Sequence, residues 1–286
     1  MPSLKLNAGT IEYEDNGVAG PVVVLLHGVL MDGGPWREVA RELGDELRVV
    51  IPTLPLGAHR TPMRPDADLS LRGHARIVAD LLAALDLRDV TLAFNDWAAP
   101  QLLIAGGLTD RIGGLVLVAC ETAGNYPPGL PGKNLVLLTK VPGGVALALR
   151  GMRFKPMRRL PFTFGWMAKH GIPDDLVDRW LDAGLGDRGV VRDALKYFRG
   201  TKAAKQDLIA ATPQLHSFER PVTVVWSKED KVMPAREAEA LAAGFPNSRL
   251  VWVDDAYTLI PLDQPARMAK LIRDHVSRQH AAAAPT

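Results

Sequence analysis

Apolar runs of five or six residues recur along this chain, with helix-patterned segments between them. The runs are PVVVLL (Pro21 to Leu26), LRVVIP (Leu47 to Pro52), VTLAF (Val90 to Phe94), GLVLVA (Gly114 to Ala119), PVTVVW (Pro221 to Trp226) and RLVWV (Arg249 to Val253). Continuous apolar character of this kind suits strands covered on both faces. Helices are expected near WREVAREL, over roughly Leu69 to Leu87, from about Trp97, over Pro234 to Ala243, and from the last strand to about Gln279. Strands separated by helices imply βαβ units, hence an α/β fold with a mostly parallel twisted sheet and helices on both sides. Two earlier segments, LKLNA and TIEYED, read as a hairpin.

The alternation breaks once. From Glu121 to about Ser217 the chain is helix-patterned and rich in Gly and Pro, without a strand-like run. The expected layout is a core over 1–121, a helical cap over 122–217, the rest of the core over 218–280, and a frayed tail over 281–286. Ligands of parallel sheets bind at the carboxyl ends of the strands, and an insertion after the strand ending at Ala119 would cover that site. This segment has a charge signature. Between Glu121 and Asp174 no acidic residue occurs, while Lys133, Lys140, Arg150, Arg153, Lys155, Arg158, Arg159 and Lys169 do. They interleave with LVLL, VALAL and PFTFGW. The pattern fits a solvated basic rim, a positive field steering an anionic substrate, or a lipid-facing surface.

Composition narrows the function classes. The 286 residues carry 34 basic and 32 acidic side chains, a net +2, which argues against a dedicated nucleic-acid binder. The single cysteine, Cys120, excludes an internal disulfide and a cysteine-based zinc site. No metal constellation stands out, and no apolar run reaches the ~20 residues of a membrane span. Gly106-Gly107 and Gly113-Gly114 read as chain reversals rather than a nucleotide loop, so no cofactor is expected. The N-terminus MPSLKLNAGTIEYED lacks a signal-peptide core, and the cytoplasm is the expected compartment.

The segment V-T-L-A-F-N-D-W-A-A-P (Val90 to Pro100) sets a strand directly before a tight turn and a helix, with Asp96 at the apex. Asp96 serves there either as a helix N-cap or as a presented functional group. Four further segments fall at strand ends: His27-Gly28 in LLHG, Glu121, Asp230 in VVWSKEDKVMP, and DDAYTLIPLDQP. In this order they resemble the α/β-hydrolase superfamily, from about Ile11 to Val276. The aspartate at the nucleophile turn is similar to the branch containing haloalkane dehalogenases and epoxide hydrolases.

The resemblance implies that Asp96 attacks carbon to form an alkyl ester. It gives the backbone N–H groups of Val29 and Trp97 to an oxyanion or leaving-group cradle. Dehalogenases carry a tryptophan beside the nucleophile whose indole N–H helps bind the leaving halide, so the resemblance makes Trp97 either such a group or a packed aromatic. A carboxylate with a pKa near ~3.9 needs no helper at neutral pH. Asp230 or Glu121 would be the triad acid, with Asp255 a third carboxylate nearby. His27, Asn95, Tyr257 and His59 are candidate substrate contacts on the adjoining loops. Epoxide hydrolases protonate the ring oxygen with two cap tyrosines, and Tyr126 and Tyr197 lie in or near the insertion.

The pattern departs in several places. The position matching the family's catalytic histidine is Thr258, in A-Y-T-L-I-P. Among the seven histidines, His59 and His170 are the first substitutes. His27 has a structural place in the HG turn, His74 reads as solvated, and His216, His275 and His280 lie elsewhere. Phe94, Ala98 and Ala99 stand at turn positions that are usually small, and Val29 replaces the asparagine common in dehalogenases. The expected function is therefore an α/β-hydrolase-like enzyme acting on a hydrophobic small molecule, anionic ones included, with hydrolytic turnover impaired or altered. A non-catalytic small-molecule binder is an alternative. So is a lyase, isomerase or cyclase that uses Asp96 as a base.

Overall fold

The computed structural model describes residues 1–97 and 99–283. The chain runs β1 (Ser3–Leu6), β2 (Gly9–Asp15), β3 (Val22–Leu26), α1 (Arg37–Leu43), β4 (Arg48–Thr53), α2 (Leu71–Ala84), β5 (Val90–Asn95), α3 (Ala99–Ala105) and β6 (Ile112–Val118). Then follow α4 (Gly129–Leu138), α5 (Gly144–Gly151), α6 (Lys155–Arg158), α7 (Asp174–Gly186), α8 (Arg188–Arg199) and α9 (Thr201–Ala211). The last part holds β7 (Val222–Trp226), α10 (Ala235–Ala243), β8 (Ser248–Trp252), α11 (Ile260–Asp263) and α12 (Pro265–Ala283). Helix α12 is thus regular to Ala283, and the rest of the expected frayed tail lies outside the described residues, as does Ala98. No helix among the described residues is long and apolar enough to cross a membrane.

The eight strands form one sheet in the order β1-β2-β4-β3-β5-β6-β7-β8. The first two pairings are antiparallel and the rest parallel. Every residue of β5, β6 and β7 is buried, which is why their sequences are continuously apolar. β8 ends the sheet and its residues are only half-buried.

Strand order reverses at β3. β4 lies on one side of it and β5 on the other, so the chain leaves β3 in one direction and returns in the opposite one. A crevice opens outside the carboxyl ends of two strands at such a switch point, because the loops that follow them diverge. Leu26 and Phe94 are register partners. The residues after them, from His27 and from Asn95, therefore emerge side by side.

The glycine pair in β6 has a role other than the expected chain reversal. Gly107 does reverse the chain after α3, at φ +65°. Gly113 and Gly114, however, lie within β6, under α12. A Cβ on Gly114 would fall 2.4 Å from His275 Nε2 and 2.7 Å from Gln279 Oε1. Helix α12 therefore sits on bare backbone and carries a buried polar seam there. Thr91 Oγ1 donates to Gln279 Oε1 (2.6 Å), and Thr223 Oγ1 lies 2.8 Å from His275 Nδ1. Burial pushes His275 down to about 3, so the ring is neutral. Gly114→Ala is expected to destabilise the fold by ~1–3 kcal/mol through overpacking, read as a lower urea midpoint. An unchanged midpoint would show that α12 is not held this closely.

Candidate active site

Asp96 follows β5 at φ +79°, a left-handed backbone that costs a non-glycine residue ~1–3 kcal/mol. Aspartate tolerates that region better than most residues do. Neighbouring bonds hold the turn in place. The Asp96 N–H donates to the Val118 carbonyl (3.4 Å). The Asn95 amide donates to Val118 O (3.0 Å) and to Thr258 O (2.8 Å), tying the end of β5 to β6 and to the loop after β8.

The side chain of Asp96 lies over Gly28. A Cβ on Gly28 would come within 2.1 Å of Asp96 Oδ2, so the carboxylate occupies space that only glycine leaves. The Val29 N–H donates to Oδ2 (3.3 Å). Burial pushes the Asp96 carboxyl up to about 7, the Val29 N–H opposes this, and the charge of Asp230 adds to it. The expectation of a fully ionised carboxylate at neutral pH is thereby corrected. Near pH 7 its protonated and ionised forms coexist, because water is excluded from the site.

Asp230 lies in the loop after β7. Its Oδ1 accepts the N–H groups of Val232 and Met233 (2.8 Å each) and the hydroxyl of Thr258 (2.8 Å). Its Oδ2 is buried without a hydrogen-bond partner. Burial pushes this carboxyl up to about 6, and the three donors oppose the shift. Thr258 is fully buried.

A cavity of about 400 Å³ opens above the strand ends, under α4, α5 and α8. Asp96, Val29 and Glu121 line its floor, and Tyr126 and Tyr197 line its wall. The remainder is mostly apolar, including Leu135, Val145, Met152 and Phe198, and no Lys, Arg or His is among the described lining residues. Burial, then the charge of Glu121, holds both phenols well above their usual range. The Tyr197 hydroxyl is buried without a hydrogen-bond partner. The Tyr126 phenol interacts with it and adds to its upward shift. Leaving such a group unsatisfied costs ~1–3 kcal/mol, which a ligand oxygen would recover.

Other sequence candidates fall outside this wall. His27 is a structural clamp, with Nδ1 2.8 Å from Gly28 O and Nε2 accepting the Leu54 N–H at 2.8 Å. Burial pushes it down to about 4, so it is neutral. His59 is buried against Asp193 (3.3 Å) and Asn95 is spent on backbone carbonyls. Tyr257 packs under the Lys231 ammonium at 4.6 Å. Asp255 is exposed and pairs with Lys169 and with His170, so neither Asp255 nor His170 reaches the cavity. His74, expected to be solvated, is fully buried. It stands edge-on to the rings of Trp97 (5.8 Å) and Tyr197 (5.3 Å). Trp97 is packed and buried, with its indole N–H unpartnered, and Phe94 fills the space beside it (6.1 Å between rings). Phe94 is thus accommodated because its neighbour is another aromatic. Sequence reasoning left Tyr126 and Tyr197 unplaced. No local signal ties Tyr197 to a turn a hundred residues earlier.

Known proteins agree with this architecture. A family model described as alpha/beta hydrolase fold matches residues 21–265. A haloalkane dehalogenase of Mesorhizobium japonicum is 32% identical over 110 residues, which are 38% of this chain and 35% of the relative. A 2-hydroxy-6-oxononadienedioate/2-hydroxy-6-oxononatrienedioate hydrolase of Paraburkholderia xenovorans is 25% identical over 249 residues, 84% of this chain and 81% of the relative. The crystal structure of a putative ancestral haloalkane dehalogenase superposes with a TM-score of 0.75 at 16% identity, covering 98% of this chain and all of the other.

A carboxyl whose folded pKa is raised holds its proton more tightly in the native state. It stabilises fully below the unfolded value near ~4, and that contribution fades as pH rises through about 7. Asp96→Asn removes the penalty of burying a charge. The variant is expected to be more stable than the parent by ~2–4 kcal/mol above pH 8, with the gain vanishing toward pH 4. Thermal melts across that range provide the check, and a pH-independent difference would mean that Asp96 is not desolvated.

Proposed function

Because the chain belongs to the alpha/beta hydrolase fold family, we propose that it is an enzyme in which Asp96 attacks carbon in a neutral, hydrophobic small molecule. One observation carries this reading. A buried carboxylate stands on a strained turn at the floor of an apolar cavity, with a backbone N–H already on one oxygen. Asp96 is one of six non-glycine residues with positive φ among the described residues, and such strain clusters at functional turns. Helices α4 to α9 act as the cap over this floor.

The lining favours an epoxide over a halide. An Asp96 oxygen attacks a ring carbon, a new C–O bond forms and the ring C–O bond breaks. The ring oxygen takes a phenolic proton from Tyr126 or Tyr197. An alkoxide is basic enough to take it even from phenols whose pKa is raised. A leaving halide would instead need donors, and the Trp97 indole is not part of the described cavity wall. The anionic substrates admitted on sequence grounds fit poorly, because the described lining holds two carboxyls and no cation.

Completing hydrolysis requires a base for water, which attacks the ester carbonyl carbon while its proton leaves. Thr258 stands where the family resemblance places histidine, and its hydroxyl donates to Asp230 instead of accepting a proton. Glu121 is the carboxylate on the cavity floor left to accept that proton. A carboxylate is a weaker base than imidazole for this step, so the ester is long-lived. A second reading keeps Asp96 as a proton-transfer base for a lyase or isomerase. Its pKa of about 7 favours that chemistry as well.

Incubation with styrene oxide and 1-chlorohexane, followed by intact-mass analysis, separates these readings. The expected result is a slowly hydrolysed adduct with the mass of the whole epoxide, absent in Asp96→Asn. No adduct and no diol would sink the nucleophile reading and leave the binder or the proton-transfer enzyme. Thr258→His, with Asp230 ready to orient the ring, is expected to speed loss of the adduct at least tenfold. An unchanged lifetime in a folded variant would show that position 258 is not the base position.

A further inference from the structure

Of the eight large apolar side chains exposed among the described residues, six lie between positions 130 and 162: Leu130, Leu137, Val141, Leu147, Phe154 and Phe162. Leu147 is 70% exposed and Phe154 67%. Within each helix, spacing groups them with cations. Leu130, Lys133 and Leu137 follow i, i+3, i+7 on α4, and Leu147 and Arg150 follow i, i+3 on α5, spacings that share one helix face. Helix α4 has the sequence GLPGKNLVLL and buries none of its residues. Leu135 and Leu138 pack inward against the core, so it is the outward face of this apolar helix that lacks a partner.

The unpaired charges on this face are of one sign. Arg153, Lys155, Arg158 and Lys169 are spent on Asp182, Asp174, Asp178, Glu229 and Asp255. Lys133, Lys140, Arg150 and Arg159 are exposed and form no salt bridge among the described residues. No acidic residue occurs from position 122 to 173. A second copy of the chain is a poor occupant. A two-fold interface pairs a patch with itself, and here it would bring these cations together with no acid between them. Protruding leucine and phenylalanine side chains interleaved with unpaired cations match an anionic lipid surface, where the apolar groups enter the acyl boundary and the cations meet headgroup phosphates. The outer face is also continuous with the cavity, since Leu147 and Phe162 belong to both.

We infer that the outer face of α4, α5 and the turn carrying Phe154 docks on anionic phospholipid bilayers. Apolar substrates dissolved in the membrane then reach the cavity without crossing water. Docking is read without turnover, so it stands or falls separately from the chemistry at Asp96.

Vesicle flotation of the whole protein tests this, with pure phosphatidylcholine compared against mixed phosphatidylglycerol–phosphatidylcholine. Partitioning onto the anionic vesicles is expected to be at least tenfold stronger and to weaken with salt. Lys140→Glu with Arg150→Glu is expected to reduce it about tenfold or more. Leu137→Ser with Phe154→Ser is expected to reduce it several-fold, although neither residue lines the cavity. Melting temperatures within a few degrees of the parent confirm that these surface variants fold. No binding, equal binding to both vesicle types, or parental binding by the folded charge variant overturns the inference. Light scattering that shows a dimer dispersed by Leu137→Ser with Phe154→Ser also overturns it, because the face then belongs to a second copy.

Discussion

A single backbone torsion governs the site. At φ +79°, residue 96 turns the chain from β5 into α3 sharply enough to project its carboxylate above the sheet rather than along it. The sheet makes that torsion affordable. The reversal of strand order at β3 brings the loop after β3 beside the loop after β5, and Gly28 in the first loop leaves the space that the carboxylate fills. With a side chain on Gly28, or with β3 and β5 separated, the same sequence at 95–97 would have no reason to hold a strained turn.

From this placement the electrostatics follow. A carboxylate on the floor of an apolar cavity has lost its hydration, and one backbone N–H at 3.3 Å does not replace it. Hence the proton is held up to about 7. Asp230 behind it is buried too, and its burial outweighs the three donors on one of its oxygens. The charge of Asp230 raises the cost of ionising Asp96, and that of Asp263 does the same for Asp230. Two phenols held protonated by the same burial then complete a set of proton donors and acceptors that contains no imidazole among the described lining residues. In the proposed reaction such a set would act through desolvated groups of matched basicity.

The sheet was legible because strands covered on both faces must be apolar throughout, and VTLAF, GLVLVA and PVTVVW announce that directly. Asp96 was legible because an acid at the end of such a strand, just before a helix, has no packing use. What sequence could not supply was depth. The basicity of Asp96 was misjudged because burial is a property of the assembled cavity. His74 was misplaced because its helix packs against Trp97 and Tyr197, which are distant in the chain. Gly113 and Gly114 resembled a turn, since close approach of α12 is invisible without the helix beside them. Tyr126 and Tyr197 had no local pattern. They converge only because the helices after β6 fold back over the strand ends.

The most direct measure of the central claim is the rate of covalent adduct formation with an epoxide as a function of pH. A buried Asp96 nucleophile should give a rate that rises through a single ionisation near 7 and then levels off. A rate that is flat from pH 5 to 9, or that rises with a midpoint near 4, would contradict a desolvated nucleophile at residue 96.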